Sequence, residues 1–231
     1  MHSFPPRCIK SVGAVYCPVC KAASIKYGKS GTGRQRYYCN QCRKSFMSAY
    51  RNKACEPGTT DWIIKLLKEG CSIKSISRIL CIAVNTVLKR ILLAARFIRK
   101  PCLVIGQIYE LDELCTYIQQ KIKQCWVVYA LRRDTKEVAD FTVGNRSNAV
   151  LKRVTDNLVL SGAKKIYTDK LQQYKTIIPK SLHRTSLYGT NHIERKNLTL
   201  RTHLKRLNRR TICFSKSVAM LVACLKIYFW S

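Results

Sequence analysis

Two cysteine pairs, Cys17-Pro-Val-Cys20 and Cys39-Asn-Gln-Cys42, stand with eighteen residues between them. Each CxxC turn aims two thiolates at one point, and two such turns at this separation match a tetrahedral zinc pattern. The intervening KAASIKYGKSGTGRQRYY is polar and glycine-rich, ends in a Tyr37-Tyr38 strand, and carries too little apolar surface to fold alone. Metal binding would have to supply the stability. Four unrelated buried thiols are the alternative, and a catalytic zinc would need an open ligand position that four cysteines do not leave. The expectation is a structural zinc ribbon over residues 1–55, holding Zn2+ on Cys17, Cys20, Cys39 and Cys42. The thirteen cysteines are odd in number, and Cys71, Cys81, Cys102, Cys115, Cys125, Cys213 and Cys224 sit singly in apolar surroundings. There a thiol acts as a small hydrophobe, so the chain reads as belonging to a reducing compartment rather than to a disulfide framework.

With 43 Lys and Arg against 12 Asp and Glu, the formal charge is +31. Self-repulsion on that scale favours a polyanionic partner, and nucleic acid is the expected one. An anionic membrane would attract such a chain too, but the bases run along its whole length and no apolar run approaches a spanning segment. With no export signal at the start, a cytoplasmic, nucleoid-associated location without membrane contact is expected. Lys26, Lys29, Arg34, Arg36, Arg43 and Lys44 give the ribbon a basic face, for DNA or simply for water.

RNKACEPGTT breaks the pattern with Pro57-Gly58, and residues 56–100 then read as three short amphipathic helices. Trp62, Ile63, Leu66 and Leu67 share one face, and Gly70 ends that helix. Ile73, Ile76 and Leu80 mark a second; Val84, Val87, Leu88, Ile91 and Leu92 mark a third. This predicts a helix-turn-helix, with Asn85, Lys89, Thr86 and Arg90 facing a major groove from the third helix. An ordinary three-helix packing unit is the bland alternative.

Residues 101–231 change texture to strand, strand, strand, helix, strand and a terminal helix, a mixed α/β pattern. IGQIYELDELCTY, WVVYALRR and EVADFTVG supply the first strands, residues 148–160 the helix, and KKIYTD a further strand. Asp112 falls in the first strand and Asp169 at the end of the fourth. Glu194 is the only acid from Lys170 to Ser231, beside a stripe of Ile193, Leu200, Leu204 and Leu207. Convergent carboxylates repel one another, and divalent cations remove that repulsion while activating water or a 3′ hydroxyl. Hard oxygen ligands favour Mg2+ or Mn2+, and nearby bases, Arg195 and Lys205 among them, would hold phosphates. Taken singly, each acid is as readily a turn cap or a surface ion pair. Glu110, Glu113, Asp134, Glu137, Asp140 and Asp156 read as surface or strand-edge residues.

The run HIERKNLTLRTHLKRLNRRTICFSKS closely resembles the signature of transposases of the insertion-sequence-one family. YELDELCTY, WVVYAL and YTDKLQQY resemble that family's earlier blocks, and the ribbon with the trihelix is similar to its N-terminal region. The resemblance implies an RNase H-like domain over residues 101–231, with a DDE triad on Asp112, Asp169 and Glu194 serving as magnesium ligands. It implies that the N-terminal parts recognise the element's terminal inverted repeats, and that Arg201, two helical turns past Glu194, contacts DNA. Many relatives have glycine after the second aspartate, where this chain has Lys170.

The expected function is thus a DNA transposase that binds double-stranded DNA, both element ends and target, and performs metal-dependent cleavage and strand transfer. Synapsis of two ends implies a homo-oligomer on DNA. The alternative is a non-catalytic zinc-ribbon and helix-turn-helix regulator; a basic nuclease without end specificity is a third.

Overall fold

The computed structural model of the chain describes residues 13–231 apart from 48, 51, 187 and 209. Residues 1–12 of the expected ribbon therefore lie outside the described residues. The chain divides into two compact units, Met1–Thr59 and Thr60–Ser231.

In the first unit, β1 (Ile25–Lys29), β2 (Gln35–Cys39) and β3 (Lys44–Met47) form an antiparallel sheet in that order. Cys17 and Cys39 are fully buried, joined by Tyr37 and Ala54, whereas every residue of β1 is exposed. Each CxxC turn is followed directly by a non-glycine residue in the left-handed region, Lys21 at φ 63° and Arg43 at φ 54°. These two reversals turn both thiol pairs inward. The fold is a zinc ribbon whose centre is thiol rather than hydrocarbon.

From Thr60 on, the second unit holds α1 (Thr59–Lys68), whose first residue marks the boundary, then α2 (Ile73–Leu80) and α3 (Val84–Phe97). Ser72 Oγ accepts from Ser75 N at 3.1 Å and caps α2, and Cys81 at φ 52° ends it three residues before α3 begins. This is a helix-turn-helix. Its buried stripe is narrower than the sequence pattern predicts: Ile63, Leu67, Ile76, Val87, Ile91 and Ala95 are inside, whereas Trp62, Val84 and Leu92 are exposed. Trp62 instead lies under the Lys65 ammonium, 5.2 Å from its ring centroid.

A five-stranded sheet follows, from β4 (Ile108–Ile118), β5 (Gln120–Arg132), β6 (Val138–Gly144), β7 (Lys165–Thr168) and β8 (His183–Arg184), in the order β6-β5-β4-β7-β8. β4, β5 and β6 are antiparallel neighbours, while β7 is parallel to both β4 and β8. Helix α4 (Asn148–Leu160) makes the crossover from β6 to β7 and, with the short α5 (Gln172–Ile177), covers one face, packing Val150, Leu151, Val154, Leu158 and Tyr174 onto Tyr109, Leu111, Val128 and Ala130. The other face packs Leu114, Val127, Tyr129 and Leu131 against α6 (Asn191–His203) and α7 (Val218–Trp230). The architecture is α/β and RNase H-like, with the trihelix joined to it.

Where the sequence pattern predicts one terminal helix, the structure has two. Leu204, at φ −103° and ψ 88°, leaves the helical region, and a 3-10 turn over Lys205–Leu207 buries Leu207 before the chain continues to α7. Helix α7 is apolar on nearly all sides, so it shows no amphipathic period. Its Met220, Leu221, Ala223, Cys224, Leu225 and Ile227 are all buried, and α3 packs along it. Among the described residues no helix is long and apolar enough to cross a membrane.

The turn between α1 and α2 docks on the end of α6. Gly70 has φ +78°, and a Cβ there would lie 2.2 Å from the carbonyl oxygen of His203. Gly106, at φ +75°, has open space around it. Gly70→Ala is therefore expected to cost at least about 3 kcal/mol, and Gly106→Ala only about 1 kcal/mol. Thermal melts of the two variants check the difference.

Candidate active site and metal centres

Strand β4 carries Glu110, Asp112 and Glu113, and the pleat divides them. Glu110 and Asp112 share the face of Leu114, toward α6 and α7; Glu113 shares that of Leu111, toward α4 and α5. The last registered pair of the parallel β4–β7 ladder is Leu111 with Thr168, so the next residue, Asp169, leaves the sheet beside Asp112. Asp112, Glu113 and Asp169 each place a carboxylate oxygen within 4.8 Å of the other two.

Asp112 Oδ1 accepts from the Glu113 N–H at 2.7 Å, and its Oδ2 from Asn197 Nδ2 on α6 at 2.6 Å. Burial pushes the Asp112 carboxyl up to about 6; the charges of Glu113 and Asp169 add to the rise, and the two donors oppose it. Glu113 Oε2 accepts from Arg146 Nη2 at 2.8 Å, and its Oε1 accepts from the Tyr174 hydroxyl. Burial, then the adjoining Glu113 charge, holds the Tyr174 phenol well above its ordinary value, so it remains a donor. Asp169 is exposed, and its Oδ1 accepts from Leu171 N at 3.0 Å in the turn that starts α5.

Glu194 stands apart from the three clustered acids. It is exposed in the first turn of α6, and its Oε1 accepts from the Thr190 hydroxyl at 2.8 Å. Asn197, one turn on, is the α6 residue that touches Asp112, and its Oδ1 also accepts from the Tyr129 hydroxyl at 2.8 Å.

Three acids read as surface or strand-edge residues are buried. Glu110 is 0% exposed and bonded to the start of α6, Glu113 is 8% exposed within the cluster, and Asp140, 4% exposed, meets Lys100 Nζ at 2.6 Å and Asn157 Nδ2 at 2.8 Å. Glu110 was findable, because it lies two residues before Asp112 on the same strand face. Glu113 was not, since alternation assigns it to the opposite face and only the end of β7 brings Asp169 to it. Asp134, Glu137 and Asp156 are exposed.

Among the expected DNA-facing residues, Asn85 and Lys89 are exposed on α3, and Arg195 and Lys205 are exposed on and just after α6. Thr86 and Arg201 are half-buried. Arg90 Nη1 reaches Thr60 Oγ1 at 2.5 Å and so braces α3 against α1. Lys170 is exposed beside Asp169.

In the ribbon, one sulfur each of Cys17, Cys20, Cys39 and Cys42 falls within 4.8 Å of the other three. The Cys17–Cys42 separation is 3.5 Å and the Cys20–Cys39 separation 3.3 Å. A zinc–sulfur length of about 2.3 Å in a tetrahedron implies sulfurs about 3.8 Å apart, so the set fits such an ion. The backbone N–H of Cys20 leads in holding the Cys17 thiol down to about 6, while burial and neighbouring sulfurs push Cys42 up to about 12.

With this geometry in place, comparison with known proteins settles the family: the family model described as IS1 transposase matches residues 104–229. The chain belongs to the IS1 transposase family. Within that family it is similar to insertion element iso-IS1n protein InsB of Shigella dysenteriae, 39% identical over 111 residues that cover 48% of this chain and 85% of that protein. It is also similar to insertion element IS1 protein InsB of Shigella flexneri, 37% identical over 111 residues, with the same coverage of 48% and 85%. A chain of the simian T-cell lymphotropic virus intasome in complex with PP2A regulatory subunit B56 gamma aligns at 16% identity and a TM-score of 0.37, covering 70% of this chain and 66% of its own. That score is below what marks a shared fold. The IS1 match contains Asp112, Glu113, Asp169 and Glu194 and begins after the ribbon and the trihelix.

Two predictions follow from the acids and thiols of this IS1-family transposase. In metal-free buffer, folded Asp112 keeps its proton to about pH 6 and the unfolded chain loses it near 3.8, so the stability this group contributes is complete below about pH 4 and is lost as pH rises through 6. The loss is on the order of 3 kcal/mol, and it should be missing from the pH dependence of Asp112→Asn measured by urea melts. In the ribbon, strong chelation is expected to release about one equivalent of zinc and expose residues 13–59 to trypsin, with residues 60–231 still protected. Atomic absorption and mass spectrometry of the fragments read both.

Proposed function

We propose that this IS1-family transposase binds the terminal inverted repeats of its insertion element and catalyses divalent-metal-dependent strand cleavage and strand transfer, with Asp112, Asp169 and Glu194 as the Mg2+ or Mn2+ ligands. The observation that carries the reading is the pairing of Asp112, midway along β4, with Asp169, just past the end of β7, closed over by α6 through Asn197. Glu194 and Asn197 are i, i+3 neighbours, so the glutamate projects one turn from the residue bonded to Asp112.

When bound, the ions supply activation of the attacking water or 3′ hydroxyl and stabilisation of the leaving oxygen. The chain's own groups do the rest. Asn197 orients Asp112 by holding its Oδ2, and the Leu171 N–H does the same for Asp169. Arg195, Arg201 and Lys205 hold DNA phosphates beside the acids, and Lys170 adds a cation next to Asp169.

End recognition falls to the ribbon of residues 1–55, held by Zn2+ on its four cysteines, and to the helix-turn-helix of residues 56–100. Asn85, Thr86 and Lys89 face the groove from the first turns of α3, with Arg90 fixing that helix. Residues 101–231 form the catalytic domain. Two ends must meet for transfer, so at least two chains act together on DNA.

The test incubates zinc-loaded protein and Mg2+ with labelled duplex carrying the sequence that flanks the gene, comparing wild type with Glu194→Gln. End cleavage should fall by at least about 10³-fold in the variant while its DNA affinity stays within twofold. Equal binding and no cleavage by either protein would instead favour a non-catalytic regulator.

A further inference from the structure

We propose that Glu110 is the positioning residue for Glu194: a buried carboxylate of β4 that caps α6 from outside the helix and fixes the turn from which Glu194 projects. This rests on Glu194 being a metal ligand, as argued above, and adds a residue acting through it.

Glu110 is fully buried, and both its oxygens are engaged. Oε2 accepts from the backbone N–H of Ile193 at 2.9 Å, and Oε1 accepts from His192 Nδ1 at 2.6 Å. Arg133 Nε lies 3.5 Å from the same Oε1, its guanidinium resting over the Tyr167 ring. The first N–H groups of a helix have no partner within it, and the residue at the N-cap ordinarily supplies one. Thr190 holds that position in α6, but its side chain makes no capping bond; its hydroxyl instead donates to Glu194. The cap comes from another strand, eighty-three residues away in sequence.

The placement ties two parts of the candidate site together. Glu110 sits two residues before Asp112 on one strand face, roughly 7 Å along β4, and Ile193 directly precedes Glu194. A second tie lies one turn on, where Tyr129 bonds the Ile193 carbonyl and Asn197, and Asn197 bonds Asp112. Glu194 projects from the turn between these ties. Burying a carboxylate is costly unless donors satisfy it. A face that only needed sealing would be served by an apolar side chain at 110. The chain instead commits a buried acid, a histidine and an arginine to the turn that bears the glutamate.

The test compares Glu110→Ala and Glu110→Gln with wild type, with Glu194→Gln and with the exposed Asp156→Asn as a control. Single-turnover end cleavage should fall about 10²-fold in Glu110→Ala and about 10-fold in Glu110→Gln, whose amide oxygen still accepts from Ile193 N–H. DNA affinity should hold within about twofold, as expected when only transition-state positioning is lost. Two readouts need no turnover: Mn2+ affinity by electron paramagnetic resonance should weaken several-fold, and hydrogen exchange at the Ile193 and Glu194 amides should speed up without a matching change in the sheet. Wild-type Mn2+ affinity in both Glu110 variants, or losses that only track a lower melting point, overturn the inference. Normal cleavage by Glu194→Gln would sink the metal-ligand reading itself, a separate result.

Discussion

Much of the polar architecture follows from the acids that β4 carries into the interior. A carboxylate taken out of water must find donors, at a cost of several kcal/mol if it does not. Glu110 takes the Ile193 N–H and His192, Asp112 takes Asn197, and Glu113 takes Arg146 and the Tyr174 hydroxyl. Those donors belong to α6, to the segment before α4 and to α5, so one strand's charge pattern fixes where the surrounding elements sit. Burial, with the charges of Glu113 and Asp169 adding to it, raises the Asp112 carboxyl to about 6, and a bound cation would offset that rise.

The second organising element is α7, which is apolar on nearly all sides because it is needed on two of them. One side seals the sheet through Leu221 and Leu225, and the other receives α3. Further links join the trihelix to the same body. Gly70 lies against the His203 carbonyl, Lys68 Nζ bonds the Ser231 carbonyl oxygen, and Lys100, just past α3, pairs with Asp140 of β6. The helix assigned to groove reading therefore cannot shift without repacking the helix that covers the sheet. Close-packed interiors transmit such shifts rather than absorb them.

The ribbon obeys a different constraint. It has little hydrocarbon to bury, so an ion held by its four clustered thiols would have to supply much of its stability, and its sheet is arranged around the two CxxC turns. The left-handed Lys21 and Arg43 are the local cost of aiming both turns inward.

Spacing alone determined the cysteine set, because ligand geometry at a CxxC turn is local. Charge alone pointed to a polyanion, and local periodicity placed α4 and the first three strands of the sheet. The signature around Glu194 named the family without any coordinates. Tertiary structure decided what depends on partners distant in sequence. The pleat assigned Glu113 away from Asp112, yet the end of β7 brought Asp169 to both. Glu110 reads as an edge residue from the sequence, whereas α6 begins on its oxygens, and α7 goes unmarked because a helix apolar on nearly all sides has no amphipathic period. Periodicity reports which way a side chain faces, whereas the distances between carboxylates are set by strand register and helix docking, which only the folded chain specifies.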